Sequence, residues 1–404
     1  MRITTCQFND SYFPIMDGVG ITAHNYARWL NEKYGKTELV APKVKDYEDD
    51  EDYKVYRFKS VLLPGMNPYR VGLPLIDIKF KKKLNKLRSD LVHAHSPFIS
   101  GQLAQRLAKK RGIPLVATFH SKYKEDFRKV LNNDLFIDFL MNLTLDFYNS
   151  ADVVWVPNKS TGETLKEYGY RGKFEIMPNG TDMEIPDKSK RLKLRKAGLE
   201  ITKANGNEFT LLFVGQHRWE KNTRMIIEAL SLLSGKKVAF QMIFVGEGYA
   251  AKEMKKMVRE YGLSDKVIFA GLITDRNKLK CIYACADLFV FPSLYDNSPL
   301  VIQEAAAFDI PSIIIKESSA AEEITDKVNG FLIDNSAEAL FKLISEVKKY
   351  PEVIKLAGEG ARKSIYKPWE GIVDMVYHRY VEIIENNVER RRTVKPDEEE
   401  DLDD

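Results

Sequence analysis

Apolar residues in the first half of the chain fall in short continuous runs, and between the runs they recur every third or fourth position. The runs 1–8, 37–41, 54–58, 90–94 (DLVHA), 114–119 (PLVATF) and 152–157 (DVVWVP) predict strands buried on both faces, since a strand with one wet face would alternate. The stretches 22–34 and 101–111 predict amphipathic helices between them. Residues 183–207 carry polar and charged clusters with no strand pattern and are expected to form a linker. The strand pattern then restarts at 208–215 (EFTLLFVG), 239–246 (AFQMIFVG), 266–271 (KVIFAG), 286–292 (ADLFVFP) and 311–316 (PSIIIK). Strand and helix alternation of this kind argues for parallel sheets covered on both faces. The predicted fold class is therefore α/β, with two doubly wound Rossmann-like domains facing a cleft and ligands at the carboxyl ends of the strands.

Two further segments have a helical period. In 134–146, Asp134, Asp138, Asn142 and Asp146 recur every four residues and nearly everything else is apolar, which predicts a helix buried on most sides with a narrow wet stripe. The last helix, about 369–386, follows Pro368 and lines up Ile372, Val376, Tyr380 and Ile383 as one packing face. The expected domains are 1–182, 208–365 and a closing helix 366–388, with 389–404 as a disordered charged tail.

Composition narrows the class. A chain of 404 residues with 44% apolar and 30% charged residues is globular and too long for one core. Three cysteines, Cys6, Cys281 and Cys285, exclude a disulfide scaffold and suit a reducing, cytoplasmic setting. The start MRITTCQF reads as a strand without the apolar core of a cleavable signal, and no run is long and apolar enough to span a membrane. The net charge of +4 is uneven: residues 389–404 hold four basic and eight acidic groups, so the rest of the chain is +8. That mild excess points to anionic ligands or an anionic membrane surface and not to nucleic acid.

Six sets of residues carry candidate chemistry. Gly18 and Gly20 stand before a helix start, where small residues let a backbone approach an anion, although a plain turn explains them equally. Gly246 to Ala251 reads G-x-G-x-x-A after a strand, but Asp265 precedes the next strand instead of ending it, so a dinucleotide site is the weaker reading. Strand 208–215 runs into Gln216, His217, Arg218, Trp219, Glu220 and Lys221 at an expected helix start, and two cations there suit a phosphate. Asp296 lies in the loop after 286–292, Ser298 and Pro299 are placed to start a helix, and Glu304 sits inside that helix among Val301, Ile302 and Ala305. A carboxylate in such surroundings needs a partner, and two acids on one edge suit gripping hydroxyls better than cleaving a glycoside. His93, His95 and His120 end two strands and are expected to face the cleft, with no spacing that completes a metal site. Finally, Lys79, Lys81, Lys82, Lys83, Lys86 and Arg88 surround a face of Phe80, Leu84, Leu87 and Leu91; this is a surface helix or, more sharply, a membrane-surface patch at ~1 kcal/mol per cation near anionic lipid.

Taken in order, GVG at 18–20, DLVHAHSP at 90–97, TFH at 118–120, SADVVWVPN at 150–158, MPNGTD at 177–182, FVGQHRWEKN at 213–222, VGEG at 245–248 and FPSLYDNSPLVIQEAAA at 291–307 resemble the retaining glycosyltransferases of the GT-B fold that carry an E-x7-E motif, the glycosyl transferases group 1. The resemblance implies a nucleotide-sugar donor, bound mainly by the second domain; with no metal-ligand spacing in the chain, the chemistry is expected to run without metal or cofactor. It puts Lys221 on the donor diphosphate with Arg218 near it, Glu304 on the ribose, Asp296 on the sugar, and the backbone around Asn297, Ser298 and Leu300 near sugar and phosphate. It puts His120 near the reaction centre, Gly18 and Gly20 under the diphosphate, and the last helix back on the first domain. Two departures stand out: the first acid of the motif is Asp296, one methylene short, and Gln216 replaces the usual arginine after the strand glycine.

HSPF, TFHSKYKEDF and the basic helix are similar to bacterial glycolipid synthases that glucosylate diacylglycerol. The expected activity is transfer of a hexose, from UDP-glucose by preference, to a membrane lipid by a peripheral enzyme on the inner face of the cell membrane. A polysaccharide precursor, a small soluble acceptor, or a non-catalytic nucleotide-sugar sensor are the alternatives, because fold alone does not choose an acceptor.

Overall fold

The computed structural model describes residues 1–15, 17–62 and 70–394. The chain divides into two compact units, Met1–Asn179 with the chain from Trp369 onward, and Gly180–Pro368.

In unit 1 the strands are β1 (Ile3–Phe8), β2 (Gly35–Pro42), β3 (Lys54–Phe58), β4 (Ser60–Leu62), β5 (Arg70–Gly72), β6 (Leu91–Ala94), β7 (Leu115–Thr118), β8 (Val153–Val156) and β9 (Glu175–Ile176). Seven of them form one sheet in the order β3-β2-β1-β6-β7-β8-β9, and every pairing in it is parallel. β4 and β5 make a separate antiparallel hairpin. β6 and β7 are buried along their whole length, as their unbroken apolar runs require.

The helix Trp369–Val394 belongs to this unit. Ile372, Val376, Tyr380 and Ile383 are all buried. Tyr380 stacks on Trp155 of β8 at 5.4 Å, and Arg379 donates to Glu175 of β9, 2.9 Å from Nε to Oε2. The helix runs six residues into the tail that was expected to be disordered, and Arg390 reaches Asp152 at 3.2 Å. The rest of that tail, 395–404, lies outside the described residues.

Unit 2 holds β10 (Thr210–Val214), β11 (Gln241–Val245), β12 (Val267–Gly271), β13 (Leu288–Val290), β14 (Ser312–Ile315) and β15 (Gly330–Ile333). They form one parallel sheet in the order β12-β11-β10-β13-β14-β15. Its core includes Leu211, Phe213, Ile243, Phe244, Phe289 and Ile314, all fully buried.

Two expectations need correction. The stretch 183–207 is not merely a linker: Lys188–Thr202 is a helix of unit 2, capped by Asp187 and packed on the helix Arg276–Tyr283. Its charged sequence hid the helix because it docks through a small residue; Gly198 lies against the Cys281 carbonyl. The helix Asp134–Asn149 is not buried on most sides. Ile137, Met141 and Phe147 face inward, but Leu135 is 84% exposed and Phe136, Phe139 and Leu143 are exposed as well. It packs on Tyr123–Val130 and Ile99–Arg111 along one side only.

A Cβ built on Gly198 would stand 2.1 Å from the Cys281 carbonyl oxygen, whereas one on Gly235, at the end of the helix Thr223–Gly235, meets nothing within 4 Å. Gly198→Ala is therefore expected to destabilise unit 2 by about 1–3 kcal/mol despite alanine's better helix propensity. Gly235→Ala should leave thermal unfolding unchanged or slightly later. Equal melting of the two variants would show that helix 188–202 is not docked this closely.

Candidate functional site

In an open parallel sheet, the place where successive crossovers leave in opposite directions opens a crevice at the carboxyl ends of two neighbouring strands. In unit 2 those strands are β10 and β13. The loop after β10 carries Arg218 and Lys221; the loop after β13 carries Asp296 and Asn297.

The first loop is fixed by the loop after β11. His217 donates its backbone N–H to the Glu247 carbonyl at 2.9 Å and accepts from Ala250 N–H at 3.0 Å. Gly246 and Gly248 allow this closeness: a Cβ on either would stand 2.0 Å from the Gly215 carbonyl or 2.4 Å from that of His217. The second G-x-G-x-x-A is thus a packing device for the first loop. The His217 ring is buried among Phe213, Phe244 and Phe269, and burial pushes its pKa down to about 4. Lys221 lies in a single 3-10 turn, Trp219–Lys221, and the following helix begins only at Thr223 after Asn222 in the left-handed conformation.

Lys221 forms an ion pair with Asp296. Both are mostly shielded, at 14% and 20% side-chain exposure, so neither charge is satisfied by bulk water. Ser293, itself fully buried, donates its hydroxyl to the other Asp296 oxygen at 2.5 Å. The Phe291 and Tyr295 rings lie 5.8 Å from the Lys221 ammonium. The structure therefore brings together two residues that the sequence placed on different parts of a donor. The helix expected after Ser298 runs from Leu300 to Ala307, with Pro299 rather than Ser298 in the cap position.

Glu304 is buried in that helix, and its need for a partner is met twice. Tyr283 donates to one oxygen at 2.7 Å, and Arg276 donates to the other at 2.7 Å. Arg276 also grips Asp182 through two nitrogens, one of them at 2.9 Å. Burial acts to lower the Arg276 pKa, but the Glu304 and Asp182 carboxylates outweigh it and hold the guanidinium above its ordinary range. Burial, then the adjoining Glu304 charge, pushes the Tyr283 phenol well up, so it stays a donor.

In unit 1 the corresponding reversal lies between β1 and β6. Gly18 opens the helix Gly18–Lys33, and Gly20 donates its backbone N–H to Asp17, the capping residue, at 2.7 Å. A Cβ on Gly20 would press on the Ser11 carbonyl at 3.1 Å, while Gly18 has open space around it.

The three histidines stack in series, His93 on His95 at 4.2 Å and His95 on His120 at 5.5 Å between ring centres. His93 bonds Thr118 at 2.6 Å through Nε2 and Tyr380 through Nδ1; His95 bonds Gln7 at 3.0 Å and His120 at 3.3 Å. His93 and His95 are fully buried, so they do not line an opening as the sequence suggested; only His120 is partly exposed. Burial holds all three neutral, His120 down to about 3.

The basic helix is Ile78–Lys86. Phe80 and Leu87 dock inward, and Lys79, Lys81, Lys82, Lys83, Lys86 and Arg88 are all exposed. At its start, Leu75, Ile76 and the first helical residue Ile78 are 62%, 65% and 68% exposed, an apolar tip that the sequence pattern did not mark. Arg276, Tyr283, Asp182 and Ser293 were missed as well. Their one signal is indirect: a carboxylate flanked by Val301, Ile302 and Ala305 requires donors from elsewhere in the chain.

Residues 196–364 match the family described as Glycosyl transferases group 1, and residues 16–185 match Glycosyltransferase Family 4. The chain is 23% identical over 394 residues to the alpha-monoglucosyldiacylglycerol synthase of Acholeplasma laidlawii, covering 94% of this chain and 97% of that one. It is 24% identical over 387 residues to the GDP-mannose-dependent alpha-mannosyltransferase of Corynebacterium glutamicum, covering 93% and 88%. Among solved structures, that of Anabaena HepE in complex with UDP-glucose superposes with a TM-score of 0.74 at 17% identity, covering 94% of this chain and all of that one.

Four histidines kept neutral by burial make stability depend on pH. Their folded pKa values lie below the ordinary histidine value, so on acidification the unfolded chain takes up protons first and stability falls from about pH 6.5 downward, by about 1.4 kcal/mol per pH unit for each histidine. The melting temperature is expected to drop between about pH 7.5 and about pH 5, and His217→Leu should make the slope shallower. A variant with the wild-type slope would contradict a neutral buried His217.

Proposed function

This chain belongs to the glycosyl transferases group 1 family and acts on nucleotide sugars, and on that footing we propose that it is a retaining, metal-independent hexosyltransferase that moves glucose from UDP-glucose to the hydroxyl of a membrane lipid such as diacylglycerol. The observation that carries the donor side is the Lys221–Asp296 ion pair at the reversal of the second sheet. An anion and a cation that satisfy each other there are what a donor with a charged diphosphate and a hydroxyl-rich sugar would separate and take over.

In this reading Lys221 exchanges Asp296 for the diphosphate, with Arg218 and the backbone N–H groups near Asn297, Ser298 and Leu300 around it. Asp296 turns to the sugar hydroxyls, steadied by Ser293, and Glu304 receives the ribose. The bond from the sugar's anomeric carbon to the diphosphate oxygen breaks, the acceptor oxygen bonds to that carbon on the same face, and the acceptor's proton passes to the departing diphosphate. Fixed positive charge counters the negative charge that grows on the leaving group. His120, held neutral by burial, can serve as a hydrogen-bonding group and not as a cation.

The lipid acceptor is supported by the glycolipid synthase relative and by the surface of unit 1. Exposed Leu75, Ile76 and Ile78 adjoin six exposed cations with no acid among residues 78–88. Apolar side chains that enter the acyl boundary next to cations that hold anionic headgroups make a peripheral docking site.

Lys221→Ala should lower kcat/KM by about 2–4 kcal/mol, roughly thirtyfold to a thousandfold, with much of it in kcat. Asp296→Ala should hurt transfer yet leave nucleoside diphosphate binding nearly unchanged, since its partner there is the sugar. Calorimetry beside donor kinetics measures both; equal weakening of diphosphate binding in the two variants would move Asp296 off the sugar. On vesicles, binding should require anionic lipid, fall at high salt, and fall further when Leu75, Ile76 and Ile78 are all changed to Ser. Binding to neutral vesicles that is as strong, or a triple variant that binds like wild type, contradicts the docking site.

A further inference from the structure

Glu304 is held from both sides before any ligand arrives. Arg276 occupies one of its oxygens and Tyr283 the other, each at 2.7 Å, and both donors come from a single helix, Arg276–Tyr283. Residues seven apart lie about two turns apart on the same side of a helix, so one rigid element presents both groups. A carboxylate offers about four lone-pair positions on its two oxygens. Arg276 and Tyr283 take one position on each oxygen, which leaves one on each for other donors. The terminal torsion of a glutamate is broad and would otherwise let the carboxylate plane turn. Two donors on different oxygens remove that freedom. Asp182 in turn fixes the guanidinium through a two-nitrogen grip, so the plane of Arg276 is set as well.

Resting on the reading of Glu304 as the ribose acid, we propose that Arg276 is a positioning residue, held by Asp182 and assisted by Tyr283, that aims the two free positions of Glu304 at a vicinal diol and so makes this enzyme select ribonucleotide donors over 2′-deoxyribonucleotide ones. Two neighbouring oxygens in a fixed plane match the two neighbouring hydroxyls of a ribose. A deoxyribose leaves one position unmet in a buried place, which is a strong ground for rejection. A lysine cannot take the place of Arg276, because a point charge on a flexible stem cannot bridge two carboxylates in a set plane.

The test compares UDP, GDP and ADP with their 2′-deoxy forms by calorimetry, and the same pairs as glucose donors in kinetics. Wild type is expected to bind its preferred ribonucleotide roughly tenfold or more tightly than the deoxy form. In Arg276→Met that ratio should shrink to within about threefold, with donor KM raised roughly tenfold and kcat changed much less. Arg276→Lys should restore overall affinity in part without restoring the ratio, which separates positioning from simple charge. Tyr283→Phe removes one fixed donor while keeping the ring, and should narrow the ratio by itself. A ribose preference that survives unchanged in folded Arg276→Met, or in Tyr283→Phe should the first variant fail to fold, overturns the role of Arg276. A wild type with no ribose preference, or a Glu304→Gln variant that keeps one, overturns instead the placing of Glu304 on the ribose.

Discussion

Everything at the candidate site follows from how a parallel sheet must be connected. Each parallel pair needs a crossover, crossovers are right-handed, and a sheet grown outward in both directions from a central strand has one seam where neighbouring loops part. In the second unit that seam lies between β10 and β13, and in the first between β1 and β6. Side chains brought to the seam by separate elements, and shielded from bulk water there, find partners among themselves. Lys221 with Asp296, and Glu304 with Arg276 and Tyr283, are that accommodation. The charges are held in place by each other and by buried groups such as Ser293, so little reorganisation is needed when another anion or hydroxyl replaces a partner.

The same logic separates the two halves chemically. The seam of the second unit is bordered by charged side chains on a tightly packed loop pair, whereas the first unit has a capped helix start and His120, the one partly exposed member of a group of neutral imidazoles. Neutral histidines hydrogen-bond without adding positive charge. Fixed cations counter phosphate charge.

Most of the strands were legible in sequence because a strand buried on both faces has almost no compositional freedom. β3 ends where its apolar run ends, and β10, β11 and β12 fall inside theirs. β9, of two residues, and β15, whose GFLI is too short and glycine-led to stand out, left no comparable mark. Helix 188–202 was hidden because its contact face is built on a glycine, and helix 134–149 misled in the opposite direction, since apolar residues signal burial only when something lies over them. At the site, Lys221, Asp296 and Glu304 could be found from local context. Arg276 and Asp182 could not, because the pairing joins residues 94 apart in sequence and only the fold brings them together.

The helix that begins at Trp369 has a consequence for how the chain is made. The first unit is completed by residues that come after the whole of the second, so the second is in effect inserted into the first. During synthesis from the amino end, the sheet of unit 1 emerges early but lacks Tyr380 over Trp155 and Arg379 against β9. The inserted unit has its complete sequence first and can close before the unit that started. Until the last helix leaves the ribosome, the groove over β8 and β9 is an exposed apolar surface, and this interval is when the nascent protein most needs protection from aggregation.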